Sequence, residues 1–367
     1  MSAHRWTRRR FVSSLTACAA LGAQPRGQVF PSERFRYYDP ATEFPVLRLT
    51  SPEYSSHLPA ATQRAVSRRR SFLLFSSDRT GSPQLRQMFL TSGQSRLLTA
   101  APGLDVLSAT LAPDERNVFY FDGPSLRQLS LGTLRDREIY RVREGWERAP
   151  GFCVSPSGSS AVLVEAKAGV CCLRMIRLAA KPAEAFTVTE VSVPISDPLM
   201  RPRHEEVLYR YGTGALWLTG YDGRNSRALP LGPGRLGPAF WAADGEALDY
   251  LNLPGAAGQL NAIRECTPDT GGDRLIASTS QFATFAPNAD QSVFIGASAN
   301  TASPDVLLLL RVARRELTIC EHRASDASRV RPIFSPDSQW IFFESDRHGK
   351  PAIYSVGLER LVERTEE

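Results

Sequence analysis

Lysine is almost missing from this 367-residue chain: Lys167, Lys181 and Lys350 are the only lysines among 44 basic residues, and the other 41 are arginine. Histidine is nearly as scarce, with His4, His57, His204, His322 and His348 making up all five. A site that needs several imidazoles therefore has few places to draw them from. Cysteine is sparse and unpaired in pattern. Once the first residues are set aside, Cys153, Cys171, Cys172, Cys266 and Cys320 remain, an odd number without C-x-x-C spacing, and that argues against a structural zinc site. A disulfide from Cys153 to Cys171 or Cys172 is open to an exported protein, but the spacing favours small buried hydrophobes. No run beyond the leader approaches the roughly 20 apolar residues of a membrane span. No heptad or sustained helical period appears, which excludes coiled coils and long amphipathic helices. No basic cluster alternates with aromatics along a helix, so nucleic acid is not the expected partner.

What is there reads as β structure. Proline and glycine, 26 of each, are spread along the chain and punctuate many short apolar runs. The formal charge of +6 is carried by guanidinium groups, which suit bidentate recognition of carboxylate or phosphate. At the start, Thr7-Arg-Arg-Arg-Phe11 precedes an uncharged small-residue run from Val12 to Ala23 and resembles a twin-arginine export signal. Residues 1–23 are therefore expected to be an export leader and the protein periplasmic. Leu15-Thr-Ala-Cys18 resembles a lipobox, which would make Cys18 a lipid anchor. Residues 24–43 read as a linker, 44–358 as the folded domain and 359–367 as a tail.

The repeats decide the expected fold. The last one is the clearest: Ile333-Phe334 leads into Ser-Pro-Asp-Ser, then Trp340-Ile-Phe-Phe343, a polar Asp-Arg-His-Gly turn, and Ala352-Ile-Tyr354. These are three short antiparallel strands, too small a sheet to stand alone. Equivalent turn markers fall at Arg69, Pro113, Pro156, Pro202, Ala243, Pro287 and Pro336, with spacings of 44, 43, 46, 41, 44 and 49 residues. A period of about 40–50 residues with three or four strands each is the pattern of propeller blades. The last repeat lacks a fourth strand, while Phe44-Pro-Val-Leu-Arg-Leu-Thr50 has no partner near it in sequence. Lending that strand to the last blade closes the ring. The prediction is an all-β, seven-bladed β-propeller of four-stranded antiparallel blades, closed by an N-terminal strand.

Several motifs, in order, resemble the oligogalacturonate lyase family over roughly residues 36–358. They are Tyr38-Asp-Pro-Ala-Thr42, Val46-Leu-Arg-Leu-Thr50, Phe75-Ser-Ser-Asp-Arg-Thr-Gly81, Arg96-Leu-Leu-Thr99, Leu216-Trp-Leu-Thr-Gly-Tyr-Asp-Gly-Arg-Asn225, Gly237-Pro-Ala-Phe-Trp241 and Arg331-Pro-Ile-Phe-Ser-Pro-Asp337. The Ser-Pro-Asp and Ser-Asp-Arg-x-Gly turns are shared with TolB-like propeller repeats. The resemblance implies β-elimination on uronic acid oligosaccharides of pectin, with a histidine base, an arginine, and a manganese-like divalent metal held mainly by histidines near the axis. This chain departs from that pattern. Pro238 or Ala239 stands where a ligand histidine is expected, Arg329-Val-Arg-Pro332 replaces the closing histidine-rich motif, and the base position falls at Arg210 or Tyr211. No metal ligand set is found, so no cofactor is assigned.

The candidates that remain are Tyr211 and His204 as proton acceptors, and Arg210, Arg329, Arg331 and Trp241 as substrate-binding groups. Each has a structural alternative: a surface turn for His204, interblade pairing for the arginines and for Tyr211 beside Arg210, core packing for Trp241. Two functions follow from different classes. One is an oligogalacturonate lyase-like protein that eliminates on, or binds, uronic acid oligosaccharides. The other is a non-catalytic TolB-like propeller that binds an acidic ligand, or a protein partner on the propeller face, in the periplasm.

Overall fold

The computed structural model describes residues 25–358 other than 70, 181 and 257. The expected export leader at residues 1–23, Cys18 and the expected tail at 359–367 lie outside the described residues. Seven antiparallel sheets follow one another along the chain and close into a seven-bladed β-propeller, as the repeat spacing predicts. Each blade begins at the axis: Ser56–His57, Thr110–Leu111, Glu147–Val154, Ile195–Met200, Arg235–Trp241, Phe282–Pro287 and Ile333–Phe334 are the seven innermost strands. The next strand outward is the apolar one. Phe72–Ser77 is buried at every position, and Leu248–Leu253 and Trp340–Ser345 at five of six, because a neighbouring blade covers each face. Outer strands such as Asp136–Arg141 are half exposed.

Packing is local to the seams between blades. Phe72, Leu74, Val118 and Tyr120 fill the first seam, and Phe121, Phe152, Leu163 and Ile176 the second. One larger cluster built on Phe285, Phe294, Ile341 and Tyr354 spans the fifth, sixth and seventh blades. The apolar packing of each blade is against its neighbours, so stability depends on every seam being closed.

The ring closes as expected. Pro45–Arg48 is the fourth strand of the last blade, with Val46 opposite Val356 and Arg48 opposite Tyr354. The segment read as a linker does more than connect. Val29–Phe30 pairs with Ser95–Leu97 on the outer edge of the first blade, and Phe35–Tyr38 pairs with Pro45–Arg48 on the outer edge of the last. Two sheets therefore have five strands, not four. Between these strands, the Glu33 carboxylate accepts from Ser51 N at 2.9 Å and pairs with Arg79, while Arg34 donates to the carbonyls of Leu90 and Thr91. Beyond them, Asp39 accepts from Glu321 N at 3.0 Å and Thr42 Oγ1 donates to Ile319 O at 2.8 Å. One N-terminal segment thus ties the first, seventh and sixth blades together.

The five described cysteines are free thiols. Cys153 lies on the innermost strand of the third blade and Cys171 and Cys172 on its third strand, with Ser160–Lys167 between them. Two strand spacings, about 9–10 Å, exceed the Cα separation a disulfide tolerates, so Cys153 pairs with neither.

Candidate active site at the axial mouth

Four consecutive innermost strands carry a bulge at the same end of the ring. The register slips between Arg148 and Phe152, between Ser196 and Leu199, between Leu236 and Ala239, and between Phe282 and Thr284. Three of these bulges contain proline, at Pro150, Pro198 and Pro238, where the strand has no ladder bond to lose. The bulged residues turn toward the axis and line a cavity of about 430 Å³ together with Gln63, Asp105, Arg148, Asp197, Arg210 and Arg331. The bulges also pack on each other. A Cβ on Gly151, whose φ is +84°, would come within 2.6 Å of Asp197 Cα, so only glycine fits there.

A crossing segment from the first blade forms the floor. Ala60 N bonds Leu107 O at 3.0 Å, and Gln63 Nε2 reaches past the second blade to Phe152 O on the third at 2.7 Å. Arg64 Nη2 donates to Ser155 O at 3.3 Å. Ala61, Thr62 and Gln63 line both this mouth and a second chamber of about 660 Å³ at the opposite end of the axis.

Charge at the mouth is arranged as arginine–carboxylate pairs. Arg148 pairs with Asp105 and lies over the Phe121 ring at 4.3 Å. Arg210 Nε pairs with Asp197 at 3.2 Å, and its two Nη groups donate to the carbonyls of Leu236 and Gly237 on the next blade. Arg331 Nη2 donates to Glu344 Oε1 at 2.8 Å. Glu344 is 3% exposed and also accepts from Leu58 N at 2.9 Å, with His57 Nδ1 at 3.0 Å from its second oxygen. Asp197 and Arg331 both hold left-handed backbone, at φ +49° and +41°. Such conformations cost free energy unless the surroundings impose them.

The six residues proposed from sequence are not brought together. Arg210 and Arg331 line the mouth. Arg329 ends a single 3-10 turn, Ala327–Arg329, with its side chain 77% exposed and paired to Asp326 at 3.5 Å. Tyr211 points into the seam with the third blade, its ring stacked on Trp217 at 4.7 Å. Trp241 lines the opposite chamber and lies over Arg201, 5.4 Å from the guanidinium carbon. His204 sits in a turn at that same end, 3.2 Å from Glu246. Sequence reasoning missed Asp105, Arg148 and Asp197. Arg148 and Asp197 had one signal, proline a few residues before the turn markers, at Pro150 and Pro198, and Asp105 had none.

The divalent cation implied by the resemblance does not fit these residues. Three guanidiniums line the mouth, and they are donors that cannot ligate a metal. Each nearby carboxylate already accepts from an arginine. The four described histidines stand apart. His57 is on Glu344, His204 is at the other end, His322 is buried against Ser298 O at 3.0 Å, and His348 Nδ1 meets Tyr354 OH at 2.8 Å. Among the described residues, no three metal-ligating side chains converge.

Comparison with known proteins finds similarity to oligogalacturonate lyases. A family model described as oligogalacturonate lyase matches residues 25–169. An oligogalacturonate lyase of Dickeya dadantii (strain 3937) is 24% identical over 368 residues, covering 87% of this chain and 94% of the relative. An oligogalacturonide lyase of Pectobacterium atrosepticum is 23% identical over 379 residues, covering 90% and 97%. Among solved structures, an oligogalacturonate lyase in complex with manganese superposes with a TM-score of 0.85 at 24% identity, over 91% of this chain and 98% of that one. The Vibrio parahaemolyticus oligogalacturonate lyase gives 0.85 at 22%, over 92% and 100%. At these identities the likeness shows a shared fold, so this chain is a seven-bladed β-propeller similar in sequence and structure to oligogalacturonate lyases.

Proposed function

We propose that the axial mouth binds the carboxylate-bearing sugars of a uronic acid oligosaccharide, as an oligogalacturonate lyase-like protein acting on pectin fragments. The observation that carries this reading is the convergence of Arg148, Arg210 and Arg331 on one cavity formed by successive bulged strands. A guanidinium presents paired donors that match a carboxylate, and a partly buried site strengthens each contact over its value in water. The cavity volume falls within the ordinary range for small-ligand clefts.

Elimination is the second reading, favoured by the family match. It requires a proton acceptor near the sugar C5 and positive charge beside the enolate-like oxygens that develop there. The arginines supply the charge, and Asp105 and Asp197 are the proton-accepting groups of the lining. The likeness of residues 1–23 to a twin-arginine export signal supports a periplasmic setting, which fractionation of expressing cells would test.

Incubating the full chain with digalacturonate separates the readings. Calorimetry should detect binding, and the ultraviolet absorbance of the conjugated product reports elimination. Binding without product identifies a non-catalytic uronate-binding propeller. Neither binding nor product would sink the uronate reading and leave the other acidic ligands, a peptide or a protein, to be screened.

A further inference from the structure

We infer that this mouth takes its ligand's carboxylate directly on arginine, with Arg331 as the anchoring cation, and works without a divalent metal. The inference rests on the uronate reading above. Its starting point is how the three mouth guanidiniums differ in commitment. Arg210 has all three nitrogens engaged, with Asp197 and with two carbonyls of the fifth blade, and so acts mainly as a strut between blades. Arg148 is paired with Asp105 and packed on Phe121. Arg331 uses one N–H, to Glu344, and its Nε–H is buried without an acceptor. Arg148 and Arg331 thus both keep uncommitted donors, and Arg331 is the one whose counter-ion is buried, with Glu344 3% exposed against 29% for Asp105.

Its position is imposed from behind. Glu344 is fixed by three donors from two blades: Arg331, the Leu58 amide and His57. That buried carboxylate holds the Arg331 head at the cavity wall, and the left-handed backbone at Arg331 is the local cost. Glu344 and His57 would be two ligands of a metal site, but the third group converging on them is a guanidinium. A divalent ion there would face a fixed positive charge at contact distance, a repulsion that partial burial makes worse. The charge that a metal would bring to a uronate carboxylate is thus already covalently part of the chain.

The test is calorimetric titration of the full chain with digalacturonate after exhaustive dialysis against EDTA, repeated with added MnCl2, with Arg331→Gln, Arg331→Lys and Arg329→Ala alongside. The expected result is the same affinity in EDTA and in manganese, unchanged in Arg329→Ala. Arg331→Gln should lose about tenfold to a hundredfold, the worth of a hydrogen bond to a charged group. Arg331→Lys keeps the charge but not the fork and should also weaken binding, so it serves if the glutamine variant fails to fold. Binding that vanishes in EDTA and returns with manganese overturns this inference and leaves the uronate reading intact. Full affinity in both Arg331 variants overturns it as well. No binding under any condition overturns both.

Discussion

At the scale of single residues, the seam between the fifth and sixth blades holds a fully buried carboxyl. Asp249 is fully buried, and both its oxygens accept from Arg311 Nη1 at 3.2–3.3 Å, while Arg311 Nη2 pairs with Glu265. Burial pushes the Asp249 carboxyl up from 3.8 to about 7, with Glu265 adding to the rise and Arg311 opposing it. A carboxyl with a raised folded pKa holds its proton more tightly in the folded state. Its stabilising contribution is full below about pH 4, where the unfolded carboxyl is also protonated, and is lost as pH rises through about 7. Urea denaturation at pH 5 and pH 8 should show that loss in the wild type and a smaller difference in Asp249→Asn; an equal difference would refute it. Removing the partner instead, with Arg311→Met, strands a buried acid and should cost about 3–5 kcal/mol at neutral pH, read from the urea midpoint.

At the scale of the strand, the bulges shape the mouth. Gly237 is a second tight position among them, after Gly151. Its carbonyl accepts from Arg210, and a Cβ there would lie 2.9–3.2 Å from three Leu251 side-chain atoms. Gly237→Ala should destabilise by about 1–3 kcal/mol through overpacking, and because it moves an acceptor of Arg210 it should also weaken ligand binding. A variant that loses stability but binds at full strength would separate the bulge from the site. The bulges left a trace in the sequence as Pro-Gly, Asp-Pro and Gly-Pro pairs, but such pairs also mark ordinary turns. Only the strand register shows that they fall inside innermost strands and at one end of the ring.

At the scale of the whole molecule, closure is doubled. The strand Pro45–Arg48 completes the last sheet, and the segment ahead of it crosses the same seam from outside. Phe30 anchors that crossing: it is 7% exposed, with the guanidinium carbons of Arg79 and Arg86 at 4.8 and 4.2 Å from its ring centre. Arg86 is itself buried, with Nε and one Nη lacking acceptors, and burial lowers its pKa to about 10. Phe30→Ala should cost about 3 kcal/mol and uncover that charge. Equilibrium unfolding would check it, and a loss no larger than that of an exposed alanine substitution would show that the crossing segment is not a closure element.

The sequence by itself determined the ring. Seven turn markers at near-constant spacing, and an orphan strand at Phe44–Thr50, carry the fold because each blade is a local unit whose hydrogen bonds and turns lie within about 45 residues. The family resemblance was legible for the same reason. The site was not, because it is assembled from residues distant in sequence that local pattern does not relate. Arg331 meets Glu344 and, through it, His57, and Gln63 of the first blade reaches Phe152 of the third. Tertiary structure alone sent Arg210 and Arg331 to one end of the axis and Trp241 and His204 to the other. In a closed ring, the end at which a strand begins or finishes decides which mouth its side chains can reach.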